Sequence, residues 1–299
     1  RSALSGRSID LSYNRISQTM LPVYLPETDN FGLDFNTGSP ILPPTLGFVF
    51  GSQTDIRGLA GENGWITTDT TLANLFNNNF SDNLTARTSL ELFKDFRIDL
   101  SANRTSTLNK SAFFRFAPST GGFDNFDPLT TGNFNMSYIF ANSAFEREDP
   151  RNPNSQLLRQ FSNNRTILSR RYAEANPETA NLDNEQYFNF RNGYLGSNQD
   201  VMITAVLSTN GMIGPERIEL SSQPLIPLPN WSINYTGLGK IPFLKKKFNG
   251  ITIKHTYRGT YTIGTFNNSL FFRDDDGDGF ADTFNSLDTL GLGFDLKDA

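Results

Sequence analysis

The sequence contains no cysteine, and His255 is its single histidine among 299 residues. Without cysteine there can be no disulfide bond, no thiolate nucleophile and no zinc site built on sulfur. A catalytic triad that needs an imidazole base would have to use His255. These absences remove several large classes of enzyme, and we expect no catalytic residues and no enzymatic activity in this chain.

Long apolar runs and clusters of positive charge are also missing. No run of about 18 apolar residues occurs, which excludes a transmembrane helix in this sequence. The mean hydropathy of -0.41 is low, but it is no evidence of solubility, because the strands of a membrane barrel are only half apolar. With a net charge of -5 and no face rich in Lys or Arg, we expect no nucleic-acid partner.

The sequence has instead 27 phenylalanines and long stretches that alternate between polar and apolar residues. In residues 251–263, one face carries Ile253, His255 and Tyr257, and the other carries Lys254 and Arg258. At roughly 3.4 Å per residue and a tilt near 45°, one strand of this length covers about 30 Å, the thickness of a bilayer's hydrocarbon core. Because His255 lies on the apolar face, we expect it to be a packing or interface residue.

The same alternation predicts strands at 8–14, 84–92, 96–103 and 231–236. We expect 84–92 and 96–103 to form a hairpin with the three-residue loop 93–95, because that length keeps polar side chains on one face. This register pairs Leu92 with Phe96 and Glu91 with Arg97. The loop 241–248 is basic and amphipathic, and we expect it either to lie on lipid headgroups or to be a solvated turn.

A long stretch separates these strands. Apolar residues at helical spacing predict helices at 154–172 and 199–207. Residues 46–50 resemble a short strand, and 120–132 and 180–196 resemble loops. Short turns on one side and very long loops on the other are typical of an outer-membrane barrel. The alternative is a soluble β-sandwich or β-rich enzyme.

An acidic stretch, DDDGDGFAD at 274–282, is the sharpest local motif. Asp274, Asp276, Asp278 and Asp282 fall at positions 1, 3, 5 and 9 of an EF-hand-type calcium loop, while position 12 is Asn285 and lacks the usual acid. Neighbouring carboxylates repel each other without a cation, so the motif predicts a structural Ca²⁺ site. The alternative is a solvated acidic loop tip, and we expect no other cofactor.

Several motifs, spread in order up to about residue 272, resemble the SprA/Sov family of Bacteroidota. They are LPVYLP at 21–26, GFVFGSQTDIR at 47–57, GWITTD at 64–69, FKDFRIDL at 93–100, GNFNMSY at 132–138, SNQDV at 197–201, PLPNWSINY at 227–235, IPFLKK at 241–246 and HTYRGTY at 255–261.

The resemblance implies that the chain is an internal segment of a much longer polypeptide. Members of this family form the outer-membrane translocon of the type IX secretion system, a very large β-barrel that passes folded proteins, including gliding-motility adhesins, to the cell surface. The resemblance also implies four partners: the outer-membrane lipid bilayer, a PorV-like barrel protein, a periplasmic plug protein and secreted cargo with a C-terminal secretion domain. It implies no catalytic residues.

We therefore expect a mainly β fold, part of a very large antiparallel transmembrane β-barrel with long extracellular loops that contain short helices. Residues 1–299 would form a single segment, strand-rich at 1–116 and 230–299, with a loop or cap region at about 117–229. The alternatives are a TonB-dependent-type importer and a soluble secreted β-rich glycan-binding or hydrolase domain. Lipid would contact Leu90, Ile98, Ile253 and Tyr257. The lumen would be lined by Arg87, Glu91, Arg97, Asp99, Lys254 and Arg258.

Overall fold

The computed structural model describes residues 5–36, 40–71, 74–144, 155–180, 190–191, 193–248, 250–267 and 280. In this part of the chain seven strands form one mainly antiparallel sheet, with β1-β2-β3-β4-β7 as hydrogen-bonded neighbours in that order and β5 paired with both β3 and β6. The strands are β1 Ser5–Met20, β2 Phe76–Phe93, β3 Phe96–Ala117, β4 Gly122–Ser137, β5 Asn230–Tyr235, β6 Ile253–Tyr257 and β7 Thr260–Asn267.

The helices in the described residues are mostly short. They are α1 Leu46–Val49, α2 Arg57–Glu62, α3 Ala141–Ala144, α4 Gln156–Ala175, α5 Pro177–Ala180, α6 Gln199–Asn210 and α7 Pro242–Lys245, with 3-10 turns at Asn30–Gly32 and Gly237–Lys240. None of these helices is long and apolar enough to cross a membrane.

The predicted helices are confirmed, and their N-terminal ends follow from capping side chains. The Ser155 side chain accepts a hydrogen bond from the Leu158 amide at 3.1 Å and starts α4. Asn198 does the same for the Val201 amide at 3.2 Å and starts α6. A capping side chain satisfies an amide that has no partner inside the helix, which fixes where the helix begins.

Two local predictions are wrong. Residues 46–50 are not a strand, because the Thr45 hydroxyl accepts from the Phe48 amide at 3.2 Å and turns the chain into α1. Residues 120–132 are not a loop, because most of them belong to β4, which starts at Gly122. Its many polar and glycine residues are not typical of a strand, and it adopts the strand conformation because it pairs with β3.

The long strand predicted at 251–263 is interrupted at Gly259. Before it, β6 pairs with β5, and after it, β7 pairs with β4. The Gly259 amide donates to the Asn230 side chain at 2.8 Å, and its carbonyl accepts from the Tyr138 amide at 3.0 Å. A Cβ at this position would overlap the Tyr138 carbonyl oxygen. The strand divides at Gly259 because the neighbouring strand is β5 before this residue and β4 after it.

The connection between β2 and β3 is Lys94-Asp95, shorter than the predicted three residues, with Asp95 at φ 70. The ring of Phe93 stacks on that of Phe96 at 4.6 Å, so Phe93 shares a side with its cross-turn neighbour. The predicted pairs of Leu92 with Phe96 and Glu91 with Arg97 stay predictions.

β4 and β5 lie one after the other along the same edge of β3. The Ser137 hydroxyl, at the end of β4, accepts from the Asn103 amide at 3.1 Å. Two residues along β3, Ser101 is already opposite Asn230, the first residue of β5. β4 and β5 together therefore take the place of a single strand beside β3. Residues 138–229 connect the end of β4 to the start of β5, and we call them the inserted module.

The chain divides into two compact units. Unit 1 takes in Arg1–Asn14, Asn83–Ser106 and Asn133–Ala299. Its core joins α4 and α6 of the inserted module to β4, with Tyr172 stacked on Tyr194 at 5.3 Å. Tyr261 and Ile263 of β7 pack against this core as partly buried residues. Its buried apolar residues are Phe134, Met136, Tyr138, Leu168, Tyr172, Ala173, Tyr194, Val201, Ala205, Leu207 and Ile218.

Unit 2 takes in Arg15–Asp82 and Thr107–Gly132, and its core contains Trp65 and Phe114. Arg57, the first residue of α2, holds this unit together through three kinds of contact. Its guanidinium forms an ion pair with Asp55 at 2.6 Å, donates to Asn125 at 2.5 Å and lies over the Phe76 ring, 4.3 Å from its centroid. Burial alone would raise the pKa of the Asp55 carboxyl, but hydrogen bonds from Arg57 and the charges of Arg57 and Lys110 lower it.

We expect Asp55→Asn to weaken helix α2 at neutral pH. The folded pKa of Asp55 lies below its unfolded value, so the stabilisation is present above the unfolded pKa and is lost as the pH falls through the folded pKa. Hydrogen exchange at the α2 amides should show about threefold less protection in the variant at about pH 7, and this difference should shrink as the pH falls through the folded pKa of Asp55. Glu27→Gln removes an exposed carboxylate and is the control; an equal loss in both variants would contradict the role of Asp55.

Candidate functional site

The strand registers in unit 1 sort polar and apolar side chains onto opposite faces. Across β3 and β5, Asp99 lies opposite Ser232 and Ile98 opposite Ile233. Across β5 and β6 the same sorting continues, with Ser232 opposite Thr256 at a side-chain oxygen distance of 3.3 Å. Since directly opposite residues point the same way, the polar rows form one continuous surface.

This surface forms an open groove of about 320 Å³, which we call the polar groove. Its lining comes from β1, β2, β3 and β5 and from residues 256–258. The Thr88 hydroxyl donates to the Ser8 carbonyl at 2.9 Å and links the first two strands at the edge of the groove. The charged side chains of the lining are Asp10, Arg87, Arg97, Asp99 and Arg258.

Four of the six residues expected to line a lumen are therefore together in the polar groove: Arg87, Arg97, Asp99 and Arg258. Lys254 is outside its lining but lies in the same cross-strand row as Arg97, since both are opposite Asn234. Glu91 is outside the lining and precedes the turn at 94–95. That these side chains line a lumen stays a prediction.

Charge in the groove is partly compensated. Arg97 forms an ion pair with Asp99 at 2.8 Å, in which both side chains are about half exposed. Arg87 and Arg258 have no ion pair with any residue that the structure describes. Three guanidinium groups beside two carboxylates and several hydroxyl groups make a hydrated surface that can form transient hydrogen bonds with peptide or carbohydrate.

The opposite face carries a cluster of aromatic side chains. Trp231 stacks on Tyr257 at 4.5 Å, and its indole N–H donates to Nδ1 of His255 at 3.2 Å. Phe96 and Tyr235 have ring centroids 5.9 Å apart and extend the cluster toward the strand ends. His255 is thus held as a hydrogen-bond acceptor in an aromatic row, on the face away from the polar groove.

The apolar face differs from the expectation in one respect. Near β7 it is covered by the chain's own inserted module, where the Tyr261 hydroxyl donates to the Ser222 carbonyl at 2.9 Å and Ile263 packs on the core. On β1 it is open, with Ile9 83% and Leu11 71% exposed. The apolar face therefore has two environments: it is packed against protein near β7 and exposed on β1.

The predicted calcium ligands Asp274, Asp276, Asp278 and Asp282 lie outside the described residues, so the calcium site stays a prediction. Among the residues that the structure does describe, no three His, Asp or Glu side chains come together as a metal site.

Sequence reasoning missed two features. Asp10 of β1 lines the groove, and its place on the polar side of the 8–14 alternation was the signal for it. The buried Arg104 lies over the Phe134 ring at 5.3 Å and donates to the Pro224 carbonyl at 3.0 Å. No local sequence pattern predicts that Arg104 is buried, because its partners come from distant parts of the chain.

A scan against models of protein families found none that matches this chain, and a search of curated proteins found no significant match. The functional conclusion therefore depends on the site's geometry and on the sequence motifs.

Proposed function

We propose that this chain is part of the wall of a very large outer-membrane β-barrel, a translocon of the SprA/Sov kind that passes folded proteins to the cell surface in type IX secretion. The observation that carries the proposal is the separation of the faces over β1, β2, β3, β5 and β6. A polar groove lies on one face, and an apolar, aromatic face with exposed large side chains lies on the other. A sheet with lipid on one side and water on the other needs this arrangement.

In this proposal the polar groove is part of the lumen wall. Passing cargo would meet hydroxyl groups and half-exposed ion pairs such as Arg97–Asp99, which form hydrogen bonds without holding the cargo tightly. Lipid would meet the face with Ile98 and Ile253. The inserted module packs on the apolar side of β4 and β7, so there it would take the place of lipid. A PorV-like barrel, a periplasmic plug and cargo with a C-terminal secretion domain would be the partners.

Fractionation of the cell tests this proposal directly. We expect the full-length polypeptide in the outer-membrane fraction, resistant to carbonate extraction and released only by detergent, because its strands would be embedded in lipid. Depletion of the polypeptide should leave cargo with a C-terminal secretion domain inside the cell. A lipoprotein of the outer membrane is a suitable control for the fractionation.

One observation favours a second candidate, a soluble secreted glycan-binding domain. The polar groove is open and has the size and hydrogen-bonding groups of a carbohydrate site. In that case the full-length chain would appear in the soluble fraction without detergent. A soluble full-length chain would also contradict the translocon proposal.

A further inference from the structure

Two turns lie side by side at one end of unit 1. The register that places Phe96 opposite Tyr235 brings the β2–β3 turn next to the segment that follows β5. The Thr236 amide donates to the Asp95 carbonyl at 3.0 Å, and Lys240 Nζ forms an ion pair with the Asp95 carboxylate at 2.5 Å. The segment 241–248, which we call the basic turn, is therefore anchored at the end of the sheet.

The basic turn exposes large apolar side chains and free positive charge together. Phe243 is 66% exposed, Phe248 53% and Ile241 42%. Three consecutive lysines, Lys245–Lys247, are exposed, and none forms an ion pair with a described residue. Lys247 Nζ lies over the Phe243 ring, 5.3 Å from its centroid.

This combination is poorly suited to water and well suited to a lipid surface. Exposed phenylalanine rings are stabilised when they enter the boundary between headgroups and acyl chains, while neighbouring lysines extend toward the phosphates. The adjoining Phe93, Phe96 and Tyr235 form an aromatic cluster of the kind that marks a membrane interface. Charge selects the lipid, since three unpaired ammonium groups attract anionic headgroups more than zwitterionic ones.

We propose that the basic turn is a binding site for anionic phospholipid headgroups. The apolar side chains of Ile241, Phe243 and Phe248 enter the interface, and Lys245, Lys246 and Lys247 contact the phosphates. The inference rests on the proposed function, because it places this end of the sheet at the surface of the bilayer.

The test uses Phe243→Trp in the full-length protein, inserted in nanodiscs of phosphatidylcholine and phosphatidylglycerol. One lipid at a time carries brominated acyl chains, which quench tryptophan at short range, and the signal of the protein without the substitution is subtracted. We expect brominated phosphatidylglycerol to quench about threefold more strongly, at equal mole fraction, than brominated phosphatidylcholine. In the background K245Q/K246Q/K247Q this ratio should fall to about one.

The matched control is R159Q/R170Q/R217Q, which removes the same positive charge from exposed positions of the inserted module and should keep the selectivity. Equal quenching by both lipids, or none by either, in a protein that is inserted in the nanodisc would overturn the lipid site and leave the proposed function standing. Failure of the full-length protein to insert at all would overturn both.

Discussion

In the proposed barrel wall, replacing Ile233 by arginine is expected to abolish most of the folded protein in the outer membrane. Ile233 lies opposite Ile98 on one side and His255 on the other, in the middle of the apolar face. A guanidinium on a lipid-facing strand costs about 2–4 kcal/mol, which lowers the ratio of folded to unfolded protein by roughly 30-fold or more. The measurement is the amount of carbonate-resistant, protease-protected polypeptide per cell.

The neighbouring substitution Ser232→Arg is the matched control. Ser232 lies on the polar groove, opposite Asp99, so the same side chain placed one residue away meets water and a carboxylate. We expect this variant to assemble to within about twofold of the parent. Similar levels of both variants would indicate that the two faces meet the same solvent, and the barrel proposal would then fail.

The second large effect is expected at Gly259. A methyl group here would overlap the Tyr138 carbonyl oxygen and would also crowd the Tyr257 hydroxyl and the Phe140 ring. Because a backbone oxygen cannot rotate away, the strands must shift. We expect Gly259→Ala to destabilise unit 1 by about 3 kcal/mol. Denaturant unfolding of the purified protein measures the loss, and faster hydrogen exchange at the Tyr138 amide locates it.

Gly264 provides the comparison, since it lies in β7 and a Cβ there meets no atom within 4 Å. Gly264→Ala should be neutral or slightly stabilising, because alanine has less conformational freedom to lose on folding. If both alanine variants were equally stable, the strand break would not depend on the close approach at Gly259.

The sheet was predictable because its strands alternate between polar and apolar residues, which gives it one polar and one apolar face. The polar positions of the predicted hairpin, such as Arg87 and Arg97, do line one groove. Helices α4 and α6 were predictable because their apolar spacing and their capping residues, Ser155 and Asn198, are local signals.

Other parts of the fold depend on distant residues. The alternation at 251–263 is unbroken, yet the strand divides at Gly259 because Asn230 and Tyr138 are its partners there. The Arg57 contacts in unit 2 join residues from α2, β2 and β4. Periodicity reports which face a side chain takes, but it does not report which strand lies beside it.

The position of the inserted module has a consequence for folding kinetics. Ser101 and Asn230 pair across a long stretch of sequence, which would normally make β5 slow to join β3. Yet the module leaves β4 at Ser137 and returns beside it, where the Leu228 amide donates to the Ser137 carbonyl at 3.0 Å. Once the helices of the module have packed on β4, its ends are neighbours, and little further loop entropy opposes the pairing of β5. The inserted module can therefore change in length over evolution without slowing closure of the sheet beneath it.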